Sequence, residues 1–446
     1  MVKFRKGSLC IILTSLIALA SCSNEPADQA SLADLEISDV VDTLEELSTV
    51  ETIAPEPDAK MSDYLRYAVN SSPEVAALRA EERIAQSRID AALSKTRPQV
   101  SASSAVGGYK ANVKSGDVDR GTSVSLTVSQ LLFDGGMTSS SISEAELELA
   151  LAEASTQSAV NRISAEAAKA GLAVFLASNN LKSIRKFQEG LKPQVAQLKL
   201  MAQSGLVDRS MLDEVKGRLL ELDIAEQEAR TAENIANLGF SKYFRDLEAP
   251  GSEFVLPETM QASLSSKLSV EFAPNVREAA LRVMIAEQRL EHARSAFSPK
   301  INAQAGSSSP MDPDEHMNAQ LGIMLTYQIG DGGARQSNLI GAKASFEQTK
   351  RSAQFQIENS KNTLNSLSEK LKNTDILLKL AKKKLPMLVD QLSVAERQIQ
   401  TGQADVVKVF NIKLQVNEIE SRIRQEQADL TKTKIEMAAL LGLFSQ

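Results

Sequence analysis

The 446-residue chain has no tryptophan, two cysteines and two histidines, and aromatic residues make up only 4% of it. Each scarcity closes off a class of function. Cys10 falls within an N-terminal export signal, so the mature chain is expected to keep Cys22 alone and to form no internal disulfide. His292 and His316 are isolated, in a helix and a loop, with no cysteine nucleophile and no glycine-rich phosphate loop to accompany them. No catalytic residue, metal or cofactor is therefore expected. Beyond the signal there is no run of eighteen or more apolar residues, which excludes a transmembrane helix. The net charge of −7 supplies no basic field for a nucleic-acid partner. What is abundant is alanine and leucine, within a hydrophobic share of 43%, and this points to long helices.

Residues 1–21 read as a signal peptide: Lys3, Arg5 and Lys6 precede the apolar run "LCIILTSLIALA". The run closes on "LASC", whose small residues before Cys22 resemble a bacterial lipobox, in which the cysteine becomes the acylated first residue. An ordinary signal peptide with a chance cysteine is the alternative. Residue 23 is serine rather than aspartate, which for this resemblance implies delivery to the outer membrane. Residues 22–60 form the acylated N-terminus and a tether; positions 23 to 60 hold eleven acidic residues against Lys60, a composition suited to a solvated segment. Within it, "LADLEISDVVDTLEEL" has the pattern of a short amphipathic helix.

The rest of the chain says most things twice. "LLFDGGMTSS" at Asp134 returns as "YQIGDGGARQS" at Asp331, 197 residues later. Gly205 and Gly402 each stand seventy residues after the first glycine of these pairs, and each is followed three positions on by an aspartate, Asp208 or Asp405. Upstream, Pro73 and Pro98 recur as Pro274 and Pro299 at an offset of 201, so four residues are missing between Pro299 and Asp331. The chain is a tandem duplication, with one unit at 61–250 and the other at 251–446.

Each unit opens with a helix that starts on proline at its first position, Pro73 after the N-cap Ser72 or Pro274, and stops at Pro98 or Pro299. The period then changes to two. Val124, Leu126 and Val128 alternate with serine and threonine; Ala319, Leu321, Ile323, Leu325 and Tyr327 alternate with Asn318, Gln320, Gly322 and Thr326. Weaker strands precede them, giving hairpins at about 98–133 and 299–330, four strands in all. Asp134-Gly135-Gly136 and Asp331-Gly332-Gly333 make the strand-to-helix turns, the glycines supplying dihedrals that side chains resist and the aspartates binding nearby N–H groups. Helical patterns follow from Ser139 to Ser204 and from Arg335 to Thr401, each a rod of about 100 Å. Return helices follow the tip glycines. Pro193 and Pro386 lie inside the rods and are expected to kink or split them. Helices this long need coiled-coil partners.

Four amphipathic strands cannot close a barrel, and an open edge in lipid leaves backbone groups unsatisfied. Oligomerisation is expected: three copies supply twelve strands around a polar lumen and a closed helical tube. The fold class is thus mainly α with a small transmembrane β part.

The order helix, hairpin, "LFDGG", long helix, tip glycine and return helix, twice over, resembles the TolC family of outer-membrane efflux proteins, as do "PEVAALRAEERIAQSRIDAALSKTRPQV" and "GLVDRSMLDEVKGRLLELDIAEQEA". The resemblance implies a homotrimeric channel-tunnel in the outer membrane of a Gram-negative bacterium, lipid-anchored through Cys22 and extending into the periplasm. It implies a passive conduit joined by a periplasmic adaptor to an inner-membrane pump of RND or ABC type, in drug efflux or type I secretion. It places Ser204, Gly205, Leu206, Thr401, Gly402 and Gln403 at the tips that meet the adaptor. Well-known members carry acidic residues six and nine positions after the second tip glycine; here these are Lys408 and Asn411. Asp405, Lys408 and Asn411 are accordingly the candidate gate, with Asp405 and Lys408 spaced to pair at i, i+3 or to be plain surface charges. Two other readings stay open: a periplasmic adaptor lipoprotein, and a coiled-coil lipoprotein without a pore.

Overall fold

The computed structural model describes residues 55, 60–109, 119–205, 207–245, 247, 249, 257–265, 269–310, 316–400 and 406–444, all within the unit that begins at Ile53. In chain order the elements are α1 (Met61–Asn70), α2 (Pro73–Ser94), β1 (Gln99–Tyr109), β2 (Asp119–Phe133), α3 (Met137–Gln203), α4 (Arg209–Phe244), α5 (Glu258–Ser265), a 3₁₀ turn (Val270–Phe272), α6 (Pro274–Ser295), β3 (Lys300–Ser308), β4 (Asn318–Thr326), α7 (Ala334–Gln400) and α8 (Val406–Leu440).

The duplication is visible in the caps. Proline opens both α2 and α6, but only α2 has a side-chain cap, where Ser72 accepts from the Val75 N–H; Ala273 stands at the corresponding place before Pro274. The rods α3 and α7 each run 67 residues without interruption past Pro193 and Pro386. The expected split does not occur, because one missing N–H in so long a helix removes a single bond from a ladder that neighbouring helices hold in place. Ahead of α2 stands α1, a ten-residue helix at the start of the first repeat that the sequence pattern did not announce.

The first rod is flanked by helices of both repeats, the second by helices of its own repeat. α3 packs against α2, α4, α6 and α8, and α7 against α6 and α8. The seams are narrow where alanine lines them: Ala154, Ala159, Ala165, Ala167 and Ala168 of α3 are all buried. The largest core gathers around Tyr64, Leu172, Phe240, Phe244 and Ile435, joining α1, α3, α4 and α8. There Phe240 stacks on Phe244, centroids 4.2 Å apart, and Tyr64 meets Phe244 edge-on. The end of the chain is tied in by buried Asn161, whose amide donates to the Ala439 carbonyl at 2.6 Å and accepts from the Phe444 N–H at 3.1 Å. A second core, with Leu191, Leu198, Val215, Leu222 and Phe410, holds α3, α4 and α8 together toward the tips.

All four strands join one antiparallel sheet in the order β1-β2-β3-β4, so the two hairpins meet at β2 and β3 and the free edges are β1 and β4. Both hairpins use the same register: Gln99 faces Ser129, and the repeat mates Lys300 and Thr326 face each other. The four-residue difference between the repeats therefore falls in the hairpin loops. Among the described residues no helix is long and apolar enough to cross a membrane.

Candidate channel wall, turns and tips

The sheet sorts most of its side chains by polarity, with Leu131 and Met324 falling on the polar face and Ser104, Thr122 and Gln130 on the apolar one. One face carries Gln99, Ser101 and Ser103 of β1, Ser123, Ser125, Thr127 and Ser129 of β2, Asn302, Gln304 and Ser308 of β3, and Asn318 and Gln320 of β4. The other carries Val100, Val106, Val124, Leu126, Val128, Ile301, Ala303, Ala305, Leu321, Ile323 and Leu325. On β2 the apolar Val124 and Leu126 are 45% and 51% exposed, while Ser123, Ser125 and Thr127 beside them are half-buried. A water-soluble strand has this the other way round; on β2 the greasy side is the more open one, as lipid requires. On the polar face, Ser103 and Ser125 share a hydroxyl hydrogen bond of 2.7 Å across the strands. By register, Lys300 brings a charge to that face at the end of the sheet nearest the helices.

The two strand-to-helix turns share one plan and differ in one respect that the sequence did not disclose. Gly135 and Gly136 have φ of 70° and 92°, and Gly332 and Gly333 of 66° and 91°, values in which a Cβ is strained. The Asp134 carboxylate accepts from the Gly136 N–H at 3.1 Å, from the Thr138 N–H at 2.8 Å and from the Thr138 hydroxyl. The Asp331 carboxylate accepts from the Gly333 N–H at 3.0 Å, and from the Arg335 N–H and Nε at 2.9 and 2.8 Å. Thr138 and Arg335 are repeat mates. Arg335 also donates to the Gln328 carbonyl at 2.7 Å and lies over the Phe297 ring, so one guanidinium stitches strand, turn and helix together. Burial pushes the Asp134 carboxyl up, but the bonds from Thr138, Gly136 and Met137 outweigh it and leave the group below its ordinary value. Asp331 is likewise lowered, first by the Arg335 N–H and then by its side chain.

Space around the turns is unequal. A Cβ on Gly135 would sit 2.1 Å from the Ser298 Cβ, whereas one on Gly332 would meet nothing.

At the first tip, α3 ends on Ser204, whose N–H donates to the Leu200 carbonyl, and Gly205 turns the chain with φ of 75°. Asp208 caps α4 by accepting from the Ser210 N–H at 3.2 Å. Leu206, Thr401, Gly402, Gln403 and Asp405 lie outside the described residues, as does Cys22. Lys408 is exposed among buried Val406, Val407, Val409 and Phe410, and Asn411 is half-buried.

Polar links between helices were not legible in advance, because they join residues far apart in sequence. Arg289 of α6 donates to Glu144 and Glu148 of α3 at 2.6 and 3.1 Å, and its repeat mate Arg88 of α2 reaches Glu148 from the other side at 3.4 Å. Tyr243 of α4 donates to Glu166 of α3 at 2.7 Å. Nearer the tips, Lys413 of α8 pairs with Glu396 of α7 at 3.0 Å. Among the described residues no cluster of three or more His, Cys, Asp or Glu is placed to hold a metal.

Comparison with known proteins agrees with this geometry. The family model described as outer membrane efflux protein matches twice, over residues 65–241 and 267–443. No curated protein matches the chain in sequence. Among solved structures, the outer membrane protein VceC from Vibrio cholerae is similar with a TM-score of 0.73 at 14% identity, over 86% of this chain and 96% of that one. The CmeC outer membrane channel of Campylobacter jejuni gives a TM-score of 0.72 at 12% identity, over 89% and 91%. The MtrE outer membrane channel of Neisseria gonorrhoeae gives 0.68 at 14%, over 86% and 89%. The chain belongs to the outer membrane efflux protein family, and is an outer-membrane channel for export, without enzymatic activity, that reaches into the periplasm.

Proposed function

We propose that three copies of this chain assemble into a passive export conduit, its twelve strands closing a barrel in the outer membrane and its helices closing a tube in the periplasm. The observation that carries this reading is the sheet: on β2 the apolar Val124 and Leu126 are more exposed than the serines and threonine between them, and among the described residues no strand covers the outer edge of β1 or β4. A lone sheet of this kind leaves two rows of N–H and C=O groups unpaired in hydrocarbon, a cost that ring closure removes. In this reading Cys22 is acylated and residues 23–60 tether it to the first repeat, which ends near residue 250. The tips at Ser204–Leu206 and Thr401–Gln403 engage a periplasmic adaptor, which couples the conduit to an inner-membrane pump of RND or ABC type.

The mouth at these tips is gated by Asp405 and Lys408 in place of an all-acidic ring, with Asn411 behind them. Lys408 is exposed in the first turn of α8 and follows Asp405 by three positions in the sequence, a spacing that supports the pairing. Planar-bilayer recording tests it. Asp405→Ala and Lys408→Ala are each expected to raise closed-state conductance and to shift ion selectivity in opposite directions; unchanged traces from both would show that they are surface charges only.

A further inference from the structure

Resting on the proposed trimer, a finer point follows from the duplication. We infer that β4 of one protomer pairs antiparallel with β1 of a second copy in the register that β2 already makes with β3, so that Thr326 faces Ser103 and Leu325 faces Ser104 of the neighbour.

The argument starts from repeat equivalence. β2 maps onto β4 by adding 197 and β1 onto β3 by adding 201, offsets fixed by the glycine turns and the helix prolines. The hairpin pairing obeys this map along its length: Gln99 to Ser129 becomes Lys300 to Thr326, and Val100 to Val128 becomes Ile301 to Leu325. The junction between hairpins pairs Val128 with Ala305 and Ser129 with Gln304. Carried forward by 197 on one strand and back by 201 on the other, it becomes Leu325 to Ser104 and Thr326 to Ser103. Faces agree throughout. Ile323 meets Val106 on the apolar side, and Gln328 meets Ser101 on the polar side. A slip by one residue would put every side chain of the incoming strand on the wrong face. Because the surface offered by β4 differs from the one it binds, the contact is heterologous and repeats until the ring closes.

Two observations away from the strands point the same way. Ile435 of α8 is 0% exposed against α3 within the chain, while its repeat mate Leu238 on α4 is 73% exposed. By the same map, α7 of a second copy would cover Leu238. Likewise Gly135 is pressed on Ser298, whose mate is Arg97, and Gly332 faces empty space. The linker around Arg97 of a second copy would fill that space.

Disulfide trapping reads the register directly. Opposed Cβ atoms on neighbouring strands lie about 4.5–5.5 Å apart and diagonal ones about 7–8 Å, so only the opposed pair lies near disulfide range. Oxidising the extracted full-length double variant Ser103→Cys/Thr326→Cys is expected to convert most monomer to covalent dimer and trimer on a denaturing gel. Ser101→Cys/Thr326→Cys and the unaltered chain are expected to give none. Ser104→Cys/Leu325→Cys repeats the test on the apolar face in case the first pair disturbs assembly. Crosslinks in the slipped pair, or in neither opposed pair although the native mass is that of three copies, would overturn the register alone. A native mass of one copy would overturn both the register and the trimer on which it rests.

Discussion

Gly135 and Gly332 occupy the same place in the two repeats and have nearly the same φ, yet substitution should affect them differently. Alanine at Gly332 meets only the left-handed backbone penalty, about 1–2 kcal/mol. At Gly135 the added methyl must also displace the Ser298 backbone. Gly135→Ala is expected to abolish helical circular dichroism and protease resistance in the extracted protein. Gly332→Ala is expected to keep both and to lose native trimer, because its neighbour belongs to the next copy. Equal damage to the fold at the two sites would contradict the asymmetry. The aspartates beside these glycines give up their protons more readily than ordinary carboxyls. Asp134 is lowered below 3.8 in the folded chain. Its contribution is therefore complete above the unfolded value and is lost as pH falls through the folded one. Thermal melting from about pH 6 down to about pH 3 should show the wild type losing stability at the acid end. Asp134→Asn should start lower and lose less, since a neutral amide has no proton to gain.

Ile435 and Leu238 make the corresponding comparison between helices. Ile435→Ala opens a cavity in the seam of α8 and α3 and should cost about 2–5 kcal/mol, lowering the unfolding midpoint in denaturant whatever the protein concentration. Leu238→Ala removes a side chain that touches little within its own chain, so it should leave protomer unfolding within about 0.5 kcal/mol. Its effect should instead appear as a lower temperature at which trimer separates into protomers. How far the sequence announced these elements depends on what kind of contact makes them. The strands, the turns and the long rods were legible because alternation, paired glycines and seventy-residue spacings are local and appear twice. Pro193 and Pro386 do not split the rods, because the support that carries α3 and α7 past them comes from helices elsewhere in the chain. The links from Arg289 to Glu144 and Glu148, and from Asn161 to the end of α8, were not readable, since charged and amide side chains every few residues offer many partners of equal merit. Thr138 and Arg335 show the limit of the repeat itself: one position serves both turns with different chemistry.

Taken whole, the molecule is a duplicated half-wall whose unsatisfied parts match one another. Its sheet has two bare edges, and one of its faces leaves Val124, Leu126, Leu321 and Ile323 in the open. Its fourth helix leaves apolar side chains such as Leu220, Ile224 and Leu238 in the open. These features have one remedy, the same contact repeated around an axis. The most direct measurement is the native mass of the detergent-extracted full-length protein, with detergent subtracted. Three copies per particle, insoluble once detergent is removed, is the result this account predicts; a single chain that stays in solution without detergent would contradict it.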